Sequence, residues 1–230
     1  MLTSPLDCQV YLLRSETQLA LVDAGSGEAV DKILDNVVAD GLDPEAIRWL
    51  LITHAHADHA AGAAGLKQRL PNLSVAISSD AAEWLENGDE QATSLAKGRE
   101  RGLYPASVRL LPCPVDLALE DRQEIAVGEL RIRVINTPGH CRGHVSFLVD
   151  IEGKRTLFSG DALFPGGRIL LQNIWDCNLQ DSVRSIERLA EAKVDHLMAG
   201  HLPPVLDDAE SHIRLATDRL WQLAVPLELG

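Results

Sequence analysis

Residues 47–59 decide the reading of this chain: Ile47-Arg48-Trp49-Leu50-Leu51-Ile52-Thr53-His54-Ala55-His56-Ala57-Asp58-His59. The first half is an apolar run, with Trp49, Leu50, Leu51 and Ile52, that suits a buried strand. The second half places three His and one Asp within six residues. Imidazole and carboxylate are the ligands that borderline divalent metals such as Zn2+ prefer. His54 and His56, two apart on extended backbone, point the same way and can grip one ion. Asp58 and His59 stand where the chain turns into a helix expected over residues 60–70, so they can face a second ion. The competing reading is a polar loop with incidental His, and four ligand-type residues at this spacing speak against it.

Three later segments repeat the design. Thr137-Pro138-Gly139-His140, Ser159-Gly160-Asp161 and Ala199-Gly200-His201 each follow an apolar strand pattern and put a ligand-type residue after a glycine, where backbone can bend and approach closely. Each is weak alone. Together with the first segment they supply five His and two Asp, enough for two metals. Of the other His, His144 suits a structural or supporting role, while His196 and His212 have no ligand-like company. Asp23, in the glycine-rich loop 23–27, can support a ligand His by hydrogen bonding or serve as a turn residue. Cys141 reads as an inert small residue.

Outward from these segments the chain alternates strands and helices. Strands are expected at residues 9–14, 18–23, 47–53 and 75–78. An amphipathic helix is expected at 29–40, with Val30, Ile33, Leu34, Val37 and Val38 on one face, and a helical stretch at 81–85. Residues 87–105 are polar, with Gly88, Gly98 and Gly102 as breakers, and read as a mobile excursion or lid. Strand-like runs follow at 109–111, 124–127, 130–135, 145–149 and 155–158, then a helix at 182–192, a strand at 194–199 and a terminal helix at 207–223. The repetition of a β-rich half and its helices points to an α/β protein of two similar halves, sheet packed on sheet with helices outside, as a single domain over 1–230.

Composition narrows the function. With 21 Lys+Arg against 34 Asp+Glu, the formal charge is -13. That argues against a nucleic-acid partner, whose phosphates need cationic neutralisation. No apolar run reaches the roughly 18 residues of a membrane span. Residues 1–13 contain Pro5 and Asp7 and lack a basic start followed by an apolar core, so they do not read as a secretion signal. Four Cys with no CxxC spacing suit a reduced, cytoplasmic protein.

The sequence resembles the metallo-β-lactamase-fold hydrolase superfamily. The match is HxHxDH at His54, His56, Asp58 and His59, then His140, Asp161 and His201 in order, with Leu21-Val22-Asp23-Ala24-Gly25 similar to the family's first strand and loop. The resemblance implies an αββα sandwich of two mixed β-sheets flanked by helices. It implies one metal held by His54, His56 and His140, a second held by Asp58, His59 and His201, and Asp161 bridging them. Two divalent ions are expected, Zn2+ first, with Fe or Mn as alternatives. The oxygen ligand at Asp161, where secreted lactamases of the best-known class use Cys, points to the glyoxalase II and lactonase side of the family. The expected activity is hydrolysis of a small ester, thioester or lactone by a metal-activated hydroxide, with Asp58 orienting the nucleophile and passing a proton to the leaving group. Arg168, Trp175 and Tyr104 are candidate substrate contacts. A phosphodiesterase with the same metals and a mononuclear iron oxidoreductase are the rival readings. The expected partner is a small-molecule substrate, with a homodimer left open.

Overall fold

The computed structural model describes residues 6–222. Residues 1–5 of the segment read above as carrying no secretion signal, and Leu223 at the end of the expected terminal helix, lie outside the described residues. The chain divides into two compact units, Met1–Leu119 with Val127–Glu129, and Glu120–Ala126 with Leu130–Gly230.

The first unit is built on a five-stranded sheet in chain order: β1 (Tyr11–Arg14), β2 (Leu19–Val22), β3 (Ile47–Leu51), β4 (Ser74–Ser78) and β5 (Leu117–Leu119). β1 runs antiparallel to β2, and the other neighbours are parallel. All four residues of β2 are buried. Parallel strands covered on both faces show continuous apolar runs rather than alternation, which is why 47–53 was legible as a buried strand. α1 (Val30–Ala39) buries Val30, Ile33 and Val37 of the expected face and half-buries Leu34, while Val38 at its edge is exposed.

The helix expected over 60–70 is instead two, α2 (Ala57–Ala60) and α3 (Ala63–Arg69). Backbone contact explains the break. A Cβ on Gly62 would stand 2.0 Å from the Ala24 carbonyl oxygen. The Gly62 N–H donates to Gly25 O (3.0 Å), and the Ala24 N–H donates to His59 O (2.7 Å). The chain after the His motif is thereby bonded directly to the loop after β2.

The polar stretch 87–105 is more ordered than its composition suggested. α4 (Ser79–Asn87) ends at Gly88 in the left-handed region (φ 61°), and α5 (Leu95–Glu100) follows with Leu95 fully buried. Glu90 accepts from both Arg99 and Arg109, tying the excursion to the segment after it. No strand forms at 109–111, where Val108 and Leu110 are buried in loop conformation. β5 was not legible: three residues, Leu-Ala-Leu, carry too little periodicity to read as a strand.

The second unit is a sheet ordered β10-β9-β8-β7-β6, from β6 (Glu124–Val127), β7 (Leu130–Asn136), β8 (Val145–Ile151), β9 (Lys154–Gly160) and β10 (His196–Ala199). β7, β8 and β9 pair antiparallel, and β10 adds parallel to β9. α6 (Leu179–Ala190) is capped by Asn178, whose side chain accepts from the Asp181 N–H. With α7 (Ala209–Trp221) it covers one cluster: Ile186, Leu189 and Ile213 pack with Leu157, Leu163 and Leu197. No helix among the described residues is long and apolar enough to cross a membrane.

Candidate metal centre

In the first unit the site begins where β3 ends. Thr53 and His54 leave the strand, and His56 in extended conformation (φ -63°, ψ 147°) immediately precedes α2. His54 and His59 are fully buried and His56 nearly so. The Nε2 of His54 stands 3.1 Å from Nδ1 of His56. Two nitrogens bound tetrahedrally to one zinc at about 2.05 Å lie about 3.3 Å apart, so this pair has a separation that a shared cation satisfies. The rings of His54 and His59 also converge, with centroids 4.1 Å apart.

The candidate ligand rings are held from behind. Asp23, with its backbone in the left-handed region (φ 64°), accepts from the Thr53 N–H (2.8 Å), from Thr53 Oγ1 and from Nδ1 of His59 (2.9 Å). That bond fixes the His59 tautomer, leaving Nε2 as the candidate ligand atom. His59 Nε2 is 3.7 Å from Asp58 Oδ2. Asp23 therefore supports a candidate ligand, the first of its two expected roles.

In the second unit His140, Asp161 and His201 come together. His140 follows β7 through Gly139 (φ 136°), where a Cβ would meet the backbone of Ser182 at 2.3 Å. Its Nδ1 donates to Leu170 O (3.2 Å), leaving Nε2 3.6 Å from Asp161 Oδ2. His201 Nε2 is 3.5 Å from that same oxygen. Asp161 follows β9 and His201 follows β10, and the Gly200 N–H donates to Gly160 O (2.8 Å), joining the two loops. One carboxylate oxygen thus stands between two imidazole nitrogens. His144 is the support here. Its Nε2 accepts the Asp161 N–H (3.0 Å), and its Nδ1 meets Thr137 Oγ1 (2.9 Å). His144, expected in a structural or supporting role, is buried and bonded on both ring nitrogens.

Each unit therefore presents buried imidazole nitrogens together with carboxylate oxygens, the donor set that suits a borderline divalent cation. Two of the candidate rings, His59 and His140, have the other nitrogen engaged by a carboxylate and a carbonyl, as ligating histidines do. The residues fit a metal. The family model of the metallo-beta-lactamase superfamily matches residues 3–201.

The chain belongs to the metallo-β-lactamase superfamily.

Among its metallo-β-lactamase relatives is a hydroxyacylglutathione hydrolase of Glaesserella parasuis, 32% identical over 161 residues, covering 70% of this chain and 52% of that protein. The acyl-coenzyme A thioesterase MBLAC2 of Bos taurus is 27% identical, covering 94% and 80%. Against the hydroxyacylglutathione hydrolases, the chain spans about half the length of the curated relatives it matches. Of solved structures, the Cronobacter sakazakii metallo-beta-lactamase with a HARLDQ motif superposes with a TM-score of 0.70 at 28% identity, covering 86% of this chain and 73% of that one. The family's α/β fold of two mixed sheets flanked by helices is the fold expected from the sequence.

Three further residues, Arg168, Trp175 and Tyr104, are expected as substrate contacts. Arg168 is exposed in a tight turn in which Phe164 and Arg168 exchange backbone hydrogen bonds. Trp175 is 58% exposed and so is not a core residue. Tyr104, expected as a substrate contact, donates its hydroxyl to Asp58 Oδ1 at 2.6 Å. Cys8 was overlooked. It is fully buried, its thiol groups with Asp23 and His59, and its N–H donates to Asp58 O (3.2 Å). Burial pushes that thiol up to about 12, against the opposing pull of His59, so it stays protonated at neutral pH. Nothing local marks residue 8: it lies about fifty residues from the motif it underpins. In the second unit, burial raises the Asp176 carboxyl, partly offset by the Arg142 N–H that it accepts.

Proposed function

We propose that this chain is a dinuclear-metal hydrolase of a small ester, thioester or lactone, its two units acting as halves of one domain. In this reading His54, His56 and His140 hold one divalent ion, Asp58, His59 and His201 hold the other, and Asp161 bridges them. The observation that carries it is the position of Asp161 Oδ2 between His140 and His201, at 3.6 and 3.5 Å, in a chain that also carries the complete HxHxDH motif. A carboxylate flanked in this way suits a bridging ligand better than a ligand to a single ion.

Bound divalent ions, Zn2+ first, would supply Lewis acidity and a water acidified towards neutrality. The protein's own part is to orient and to move a proton. Asp23 and Leu170 O hold His59 and His140 in the tautomers whose Nε2 atoms face the site. Asp58, partly buried, is the candidate for orienting the nucleophile and returning a proton to the leaving oxygen or sulfur. Arg168 would meet an anionic group of the substrate and Trp175 would wall the pocket. The carbonyl substrate class is supported by the relatives named hydroxyacylglutathione hydrolase and acyl-coenzyme A thioesterase. A cytoplasmic setting and a small-molecule partner follow from the same reading.

The test combines metal analysis with a substrate panel. Two equivalents of divalent metal per chain, and turnover of a thioester, ester or lactone lost on chelation, are expected. Turnover of bis-(p-nitrophenyl) phosphate alone would make the chain a phosphodiesterase. One iron per chain with oxygen uptake and no hydrolysis would make it an oxidoreductase.

A further inference from the structure

We infer that Tyr104 is a positioning residue of the metal centre rather than a substrate contact: its hydroxyl selects which oxygen of Asp58 is presented to the cation. This rests on the dinuclear reading above. The two oxygens of a carboxylate are chemically equivalent and exchange by a half-turn of the side chain. In this site they are made different. Tyr104 donates to Oδ1 at 2.6 Å, while Oδ2 lies 3.7 Å from His59 Nε2, the nitrogen that Asp23 leaves facing the site. A short bond from a phenol to an ionised carboxylate is among the stronger hydrogen bonds in proteins. It holds Oδ2 in register with His59.

The hydroxyl is delivered by a built support. A Cβ on Gly98 would stand 2.8 and 3.0 Å from ring carbons of Tyr104, so the ring lies directly on the bare backbone of α5. The Leu103 N–H donates to Gly98 O (2.9 Å), closing the helix end just before Tyr104. Leu95 anchors the start of the same helix in the core, and Glu90 ties Arg99 of the helix to Arg109 beyond it. The 87–105 excursion is in this light an arm that holds one hydroxyl against one metal ligand, not a lid over the substrate.

The test is zinc binding by Tyr104→Phe and by Gly98→Ala, read by competition with a chromophoric chelator, with steady-state kinetics alongside. Tyr104→Phe should weaken one of the two zinc-binding steps by about tenfold and leave the other unchanged. Its kcat should fall with KM within about twofold of the wild type. Gly98→Ala, which displaces the ring without removing the hydroxyl, should shift the same step in the same direction, and the double variant should lose little more than Tyr104→Phe alone. Gly98→Ala also keeps the test alive should the phenylalanine variant fold poorly. Both zinc steps unchanged in Tyr104→Phe would overturn the inference and leave the dinuclear reading standing. A raised KM with unchanged kcat would also overturn it, returning Tyr104 to the substrate. A wild-type chain that takes up no zinc or other divalent ion would overturn both.

Discussion

Asp23 and His59, 36 residues apart, meet in a buried 2.9 Å hydrogen bond from the ring Nδ1 to the carboxylate. The same carboxylate accepts from the backbone and side chain of Thr53, at the head of the His motif. A single acid therefore sets the tautomer of a candidate ligand and the path of the loop that carries it. Asn tolerates the left-handed backbone found at this position, so Asp23→Asn removes charge without backbone strain. We expect metal affinity to fall by about 10- to 100-fold with the fold retained. Chelator competition, with circular dichroism as the folding control, measures this. An unchanged affinity would show that His59 orients itself.

His144 gives a parallel case in the second unit. It is buried and bonded on both ring nitrogens, to the Asp161 N–H and to Thr137. His144→Ala takes the partner from the Asp161 N–H, leaves Thr137 Oγ1 with Ser146 Oγ alone and opens a void, at a cost of about 2–4 kcal/mol. Urea unfolding of the metal-free protein should show that loss. A change below about 0.5 kcal/mol would mean that water replaces the ring at no cost.

Gly62 should not accept a side chain. Its added Cβ would stand 2.0 Å from the carbonyl oxygen of Ala24, a backbone atom that no side-chain rotation can move. Gly62→Ala is expected to cost about 3 kcal/mol or more and to weaken metal binding, because α2 and the loop after β2 must separate. Gly41→Ala is the control. That glycine has nothing within 4 Å of its Cβ position and a φ of 74°, so only the left-handed penalty of about 1 kcal/mol applies. Equal melting temperatures for the two variants would sink the argument from close approach.

Acid stability should report on Asp121. Burial alone would raise its carboxyl. The Asn136 N–H at 2.8 Å and the Arg188 guanidinium, at 2.7 and 2.6 Å from the two oxygens, outweigh burial and hold it below the usual carboxylate range. A depressed folded value means that the stabilisation is present above the unfolded value near 4 and is lost as pH falls through the folded value. Both partners are about a third exposed, which limits the effect to about 1 kcal/mol. Asp121→Asn should be less stable than the wild type by that amount at pH 7, with the difference shrinking as the pH falls below about 4. Denaturant midpoints across this range measure it. A difference that grows on acidification would reverse the assigned sign.

Much of the architecture was readable in advance because its causes are local. β2, β3 and β4 are buried parallel strands, and their apolar runs show it without any knowledge of neighbours. α1 and α6 bury the centres of the faces that their periodicity marks, Ile33 and Val37 in one and Ile186 and Leu189 in the other. The failures have physical reasons. The single helix expected after His59 is split because Gly62 must lie against another backbone, a constraint that no helix pattern carries. The arm at 87–105 reads as irregular because its order comes from Glu90 bridging two arginines and from one buried leucine, not from an apolar stripe.

The same division runs through the site. The ligand types, their order and their spacing lie in the sequence, because imidazole and carboxylate side chains in HxHxDH and after strand-end glycines have few other uses in combination. Which ring nitrogen is hydrogen-bonded, and which oxygen of Asp58 accepts from Tyr104, is decided by tertiary structure. Those choices depend on Asp23, Leu170, His144 and Tyr104, each brought to its partner by packing across 17 to 46 residues of chain. A hydrogen bond at that separation leaves no periodic trace in the sequence, since it is the fold, and not the neighbouring residues, that makes the two groups adjacent.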